Sequence, residues 1–150
     1  MFTLAILLFS ALFYEVRADN CQGMNVTTIK DVRRSTLYVA DRQNGEKLLC
    51  DFYIIQDDVW YRFQSAAGNK MPTTKPAFFK CGTFAPIWMD GTHPTVQDGT
   101  VKRKACVNLP YHQPLGCGRS YDINVRNCGT YYIYQLKQPK QCALSYCAGE

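Results

Sequence analysis

The sequence predicts a mainly β, small disulfide-rich secreted domain with short antiparallel sheets and long irregular loops. Three observations carry that fold class. All eight cysteines stand at or after position 21, an even count that suits a disulfide framework formed outside the cell. Short runs of alternating apolar and polar residues recur, and no window longer than a turn shows helical periodicity with capping. Ten glycines and seven prolines cut the chain into short pieces.

Taken in order, residues 1–18 read as a cleaved signal peptide. The apolar run 4–13 is too short to cross a bilayer, and Val16 and Ala18 suit positions −3 and −1 of a cleavage site after Ala18. Residues 19–150 then form a single domain, with no later run of membrane-spanning length and no membrane anchor. Asn25-Val26-Thr27 is the one Asn-x-Ser/Thr sequon, so N-glycosylation is expected at Asn25, on the surface beside Cys21.

The run 35–40 is rich in β-formers, Asn44-Gly45 is a hairpin-turn dipeptide, and 48–55 reads as the return strand. Asp57-Asp58 turns the chain into 59–63, where Trp60 and Arg62 would face one way and Val59, Tyr61 and Phe63 the other. Met71-Pro72 and Lys75-Pro76 mark an extended loop. In 101–107 Val101, Arg103, Ala105 and Val107 alternate with Lys102, Lys104 and Cys106, as in a half-exposed strand. Ile123 and Val125 alternate with Asn124 and Arg126, and Gly129-Thr130 turns this strand into a tyrosine-rich partner at 131–136. Between these, 81–106 is too broken for a helix and too apolar for a free loop. Its Trp88, set among Pro86, Ile87 and Met89, is expected to be a buried structural anchor.

The residue inventory narrows the chemistry. No Cys-x2-Cys pair exists and there are only two histidines, so no metal site and no cofactor is expected. Asp57-Asp58 lacks the glycine and partner glutamate of a calcium loop and reads as a turn. With every cysteine bridged no thiolate nucleophile remains, and neither His93 nor His112 has a serine or carboxylate placed to form a triad. The protein is read as not an enzyme. The net charge of +5 is modest, its densest run is Lys102-Arg103-Lys104, and no aromatic–basic stacking motif points to nucleic acid.

Several motifs together resemble one family. Trp60-Tyr61-Arg62-Phe63, then Cys81-Gly-Thr-x2-Pro-x-Trp88 with Gly91-Thr92-His93-Pro94, then Gly99-x-Val-x-Arg-Lys-Ala-Cys106 are similar to the eight-cysteine, uromodulin-type domain. So are Ile123-x-Val-x-x-Cys128, Tyr131-Tyr-Ile-Tyr134-x-Leu-x-x-Pro139-x-x-Cys142 and Tyr146-Cys147. The pancreatic zymogen-granule membrane glycoprotein shares that domain. The resemblance implies disulfides Cys21–Cys128, Cys50–Cys142, Cys81–Cys147 and Cys106–Cys117. It departs from uromodulin where an extra cysteine pair would fall, near Thr74 and near 113–117, and no polymerising zona-pellucida module is encoded. Family members carry a glycosylated asparagine where this chain has Asp90, and that sugar serves as bait for bacterial fimbrial lectins. Asp90 has no amide to glycosylate, so any such role here rests on Asn25.

The expectation is a secreted, non-enzymatic glycoprotein that binds an unknown extracellular protein or glycan. Two other roles stay open: a structural component of an extracellular or mineral-associated organic matrix, and a secreted toxin.

Overall fold

A computed structural model describes residues 21–110 and 117–149. The expected signal peptide at 1–18 and His112 lie outside the described residues.

The described chain forms seven strands: β1 (Val26–Ile29), β2 (Trp60–Phe63), β3 (Ala85–Asp90), β4 (Thr100–Val107), β5 (Arg119–Asn127), β6 (Tyr132–Gln135) and β7 (Leu144–Tyr146). They make one curled sheet in the order β1-β2-β6-β5-β4-β3-β7. The protein is mainly β, as the alternating runs predict. The middle of the sheet is antiparallel, but its two edges are parallel pairs, β1 with β2 and β7 with β3. A parallel pair cannot be closed by a tight turn. Here each edge strand is brought in from a distant part of the chain.

Four disulfides tie those distant parts together: Cys21–Cys128, Cys50–Cys142, Cys81–Cys147 and Cys106–Cys117, the same pairs that the family resemblance implies. Three of them span 66 to 107 residues. In the chain-entropy account, loops of this length each destabilise the unfolded state by about 4–5 kcal/mol.

Strand alternation separates two faces. Tyr61 and Phe63 of β2, Ile87 and Met89 of β3, Ala105 and Val107 of β4, Ile123 and Val125 of β5, and Tyr134 of β6 fill the core on the inner face. Ile55, Met71, Leu136 and Tyr146 close it.

Inside this apolar volume sits one ion pair. Arg34, at the end of a 3-10 turn (Val32–Arg34), and Asp51 are 1% and 0% exposed. Arg34 Nη2 donates to Asp51 Oδ1 at 2.6 Å, and the two N–H groups of Nη1 are shared among Asp51 Oδ2 at 2.8 Å, Ser145 Oγ at 2.9 Å and the Tyr146 carbonyl at 3.0 Å. Asp51 Oδ2 also accepts the Tyr146 N–H at 2.7 Å. The pair therefore fastens the early chain to β7, using its full bidentate geometry.

Two expectations are corrected. Residues 35–40 and 48–55 do not pair as a hairpin. The Asn44-Gly45 turn forms, with Gly45 in the left-handed region at φ 75° and its N–H donating to the Arg42 carbonyl at 3.2 Å. The flanks go elsewhere, because better partners exist: Ala40 N–H bonds the Phe79 carbonyl, Leu49 N–H the Gly82 carbonyl and Asp51 N–H the Leu144 carbonyl, at 2.7–2.9 Å. Trp88, in turn, is not the core anchor. β3 turns Ile87 and Met89 inward at 0% exposure and leaves Trp88 half-buried on the opposite face, where it stands across from Cys106. Its indole Nε1 is buried with no acceptor.

Candidate binding surface on the outer face of the sheet

The faces differ in chemistry because β2, β5 and the first part of β4 alternate. Opposite the core, the register lines up Trp60 (β2), Gln135 (β6), Asn124 (β5) and Lys102 (β4) in one row across the strands. A second row holds Asp122, Lys104 and Asp90. Asn124 Nδ2 donates to Gln135 Oε1 at 2.7 Å, and Lys104 Nζ bridges to Asp122 Oδ1 at 3.0 Å. Lys102, Lys104 and Asp122 are exposed. A shallow depression of about 330 Å³ opens here, lined by Asp90, Lys102, Arg103, Lys104 and Asp122.

Each end of this face is held covalently. At the β1 side Cys21–Cys128 packs with Ile133, Met24, Val26, Trp60 and Tyr131 into a small second cluster. Arg62 lies over the Tyr131 ring, its Cζ 3.9 Å from the centroid, a cation–π contact that holds the guanidinium against the face. At the other side Cys106–Cys117 stands beside Trp88. The polar rows lie between two disulfide-backed aromatic ends. Asn25 is exposed immediately before β1, so its side chain is open to modification.

Among the described residues, those considered for catalysis or metal binding are otherwise engaged. His93 is half-buried, with its ring 4.5 Å from that of Tyr132 and Nε2 2.9 Å from the Tyr134 hydroxyl. Tyr134 accepts the Met71 N–H at 3.0 Å, which leaves its own O–H to donate to a neutral His93 Nε2. Burial, with Lys70 and Arg103 as lesser repulsive neighbours, lowers the His93 pKa to about 4. A neutral imidazole whose nitrogen is already bonded is a packing group. Burial likewise pushes the phenols of Tyr134 and Tyr146 above their ordinary range. Asp57 accepts the Gln138 N–H at 2.8 Å, and Asp58 pairs with Lys137 at 3.4 Å. Among the described residues no three His, Cys, Asp or Glu side chains gather as a metal set, and no cysteine is free.

Alternation puts Arg62 and Arg126 on outward positions of their strands but does not bring them together, because register between strands is not written in either strand alone. Sequence reasoning missed Arg34 and Asp51 entirely. No periodicity marks them, and their partner strand β7 lies more than ninety residues away from Asp51.

The family model for the uromodulin-like, eight-cysteine domain matches residues 61–148, from β2 to the residue after Cys147. The pancreatic secretory granule membrane major glycoprotein GP2 of Rattus norvegicus is 35% identical over 133 residues, covering 86% of this chain and 23% of its own length. Its Mus musculus counterpart is 36% identical over 135 residues with the same coverage. Uromodulin of Rattus norvegicus is 39% identical over 89 residues, 59% of this chain and 13% of its own. The chain thus spans less than a quarter of the length of the relatives it matches. The matched region encloses the sheet from β2 to β7 and both cysteine bridges around Trp88, and on that ground the chain belongs to the uromodulin-like, eight-cysteine domain family.

Proposed function

We propose that this chain is a secreted, non-enzymatic, disulfide-clamped glycoprotein module that binds an extracellular partner through the outer face of its sheet. One observation carries the reading: a polar face, with exposed lysines and carboxylates, is left open while disulfides hold both its ends. Sheets bury one face and present the other, and a face whose backbone cannot shift is preorganised for recognition. The engaged histidine and the bridged thiols support a non-catalytic role. The relatives are named as glycoproteins, which supports a glycan at Asn25.

Arrays of extracellular proteins and glycans, probed with the secreted chain before and after reduction and alkylation, test the binding role. Capture is expected only for the oxidised chain. Capture of nothing by the oxidised chain would overturn the reading. Secretion itself is checked by recovering the chain from culture medium with a new N-terminus at Asp19. Asn25→Gln should lower its mass by one glycan, and an unchanged mass would mean that the sequon is empty.

A further inference from the structure

A line of cations crosses the outer face. Arg126 of β5 is the Cα partner of Ile133 of β6, and Arg62 of β2 follows Tyr61, the partner of Tyr134. The two arginines therefore flank Ile133 from either side. Lys102 of β4 faces Asn124, which makes it the diagonal neighbour of Arg126 on the same face, about 7–8 Å away. Among the described residues none of Arg62, Arg126 and Lys102 is in an ion pair.

Both guanidinium groups are only partly exposed, and the Nε of each is buried without an acceptor. These are charges held in place rather than charges free to seek solvent. The row runs into the depression at Asp90, Lys102, Lys104 and Asp122. Arg103 alternates to the other side of β4, across from Ile123, where its Nε donates to the Thr92 carbonyl at 2.8 Å, so its guanidinium is not part of the row.

We infer that this row is a binding site for a sulfated polysaccharide; the inference rests on the outer face being the binding face. Forked guanidinium groups match tetrahedral oxyanions. From β2 to β4 the row crosses three strand spacings, about 14 Å, so it fits an extended polymer better than a single small anion. The carboxylates Asp90 and Asp122 and the amides of Asn124 and Gln135 lie beside the cations and suit the hydroxyls between sulfate groups. A flat anionic membrane is the poorer match. It would press against both carboxylates, and none of the large exposed apolar side chains, Val32, Leu37, Val39, Phe52, Tyr53 and Ile54, stands on a strand of this face.

The test measures binding of the secreted, oxidised chain to immobilised heparin, to desulfated heparin and to anionic phospholipid vesicles at graded salt. Heparin should bind, desulfated heparin and vesicles should not. Arg62→Gln/Lys102→Gln/Arg126→Gln should weaken heparin binding about tenfold or more near physiological salt and lower the salt slope by about two. Lys47→Gln/Lys75→Gln/Lys140→Gln removes the same charge from exposed loop positions and should change affinity less than about threefold. Lys102→Glu alone, at an exposed position, should still weaken binding severalfold if the arginine variants fail to fold. Equal losses in the two triple variants, equal binding of desulfated heparin, or capture by vesicles alone would each overturn the proposal. Failure on heparin with capture of some other extracellular ligand removes this inference and leaves the binding role standing.

Discussion

Replacing Arg34 by methionine tests the internal ion pair most directly. The substitution keeps an unbranched side chain of similar reach but removes the hydrogen bonds donated to Asp51, to Ser145 Oγ and to the Tyr146 carbonyl. Asp51, at 0% exposure, then retains the Tyr146 N–H and its charge but no cation. An uncompensated buried charge of this kind costs about 3–5 kcal/mol. Asp51→Leu strands the Arg34 guanidinium in the same way and should cost a similar amount. In Arg34→Met/Asp51→Leu no charge is left buried, and the remaining loss is about 2–3 kcal/mol from unpartnered groups on β7. The double variant should therefore be no less stable than either single one, a favourable coupling of about 3 kcal/mol or more. Urea unfolding with the disulfides intact, followed by fluorescence of Trp60 and Trp88, reads all four proteins. Single variants that each cost under about 1 kcal/mol, or losses that simply add, would refute the assignment of Arg34 and Asp51 as a joint fastening of the early chain to β7.

Three further outcomes are expected. His93 has a folded-state pKa of about 4 against 6.5 for the free ring, so protons favour the unfolded chain as pH falls. Stability should be full above about pH 6.5 and decline towards pH 4; the shift corresponds to about 3 kcal/mol, reduced to about 1–2 because solvent screens the partly exposed ring. His93→Gln should flatten that part of the pH–stability curve, and an unchanged slope would count against the shift. Trp88→Ala should cost about 2 kcal/mol in the same urea assay, less than the about 3–5 kcal/mol of a fully buried tryptophan; the full loss would show that the ring is more enclosed than its partial exposure implies. Gly68→Ala should destabilise by about 2 kcal/mol or more, since Gly68 has φ 123° and a Cβ there overlaps the Gly149 carbonyl. Loss of protection at the Asn69 and Gly149 amides in hydrogen exchange would locate the damage, and normal protection would refute it.

What is legible in the sequence follows the reach of local rules. β4, β5 and β6 are successive antiparallel strands with regular alternation, and their inward residues, Ala105, Val107, Ile123, Val125 and Tyr134, are found where alternation puts them. β3 is apolar on both faces, so Pro86-Ile87-Trp88-Met89 carries no sign of which side is inward, and the expectation of an inward Trp88 fails for that reason. The edge pairs are beyond reach on different grounds. β1 meets β2, and β7 meets β3, only after long excursions, and nothing local distinguishes those pairings from the hairpin that Asn44-Gly45 suggests. Of the binding face, the outward positions of Arg62 and Arg126 are readable one strand at a time. Their adjacency is not.

The disulfide pattern sets an order of events during synthesis. Cys21, Cys50 and Cys81 have their partners at 128, 142 and 147, so all three leave the ribosome before any of those partners exists. At about 5–20 residues per second, Cys21 waits about 5–20 s for Cys128. During that interval the three early thiols have mainly one another for company, and any bond among them is non-native. Cys106–Cys117, closing only 11 residues, is the one native bridge available before β5, β6 and β7 emerge. The growing chain must either be kept reduced or be reshuffled by thiolate attack once its final cysteines arrive. An architecture closed by long-range bridges is thus obliged to pass through a period in which its early cysteines are most exposed to error.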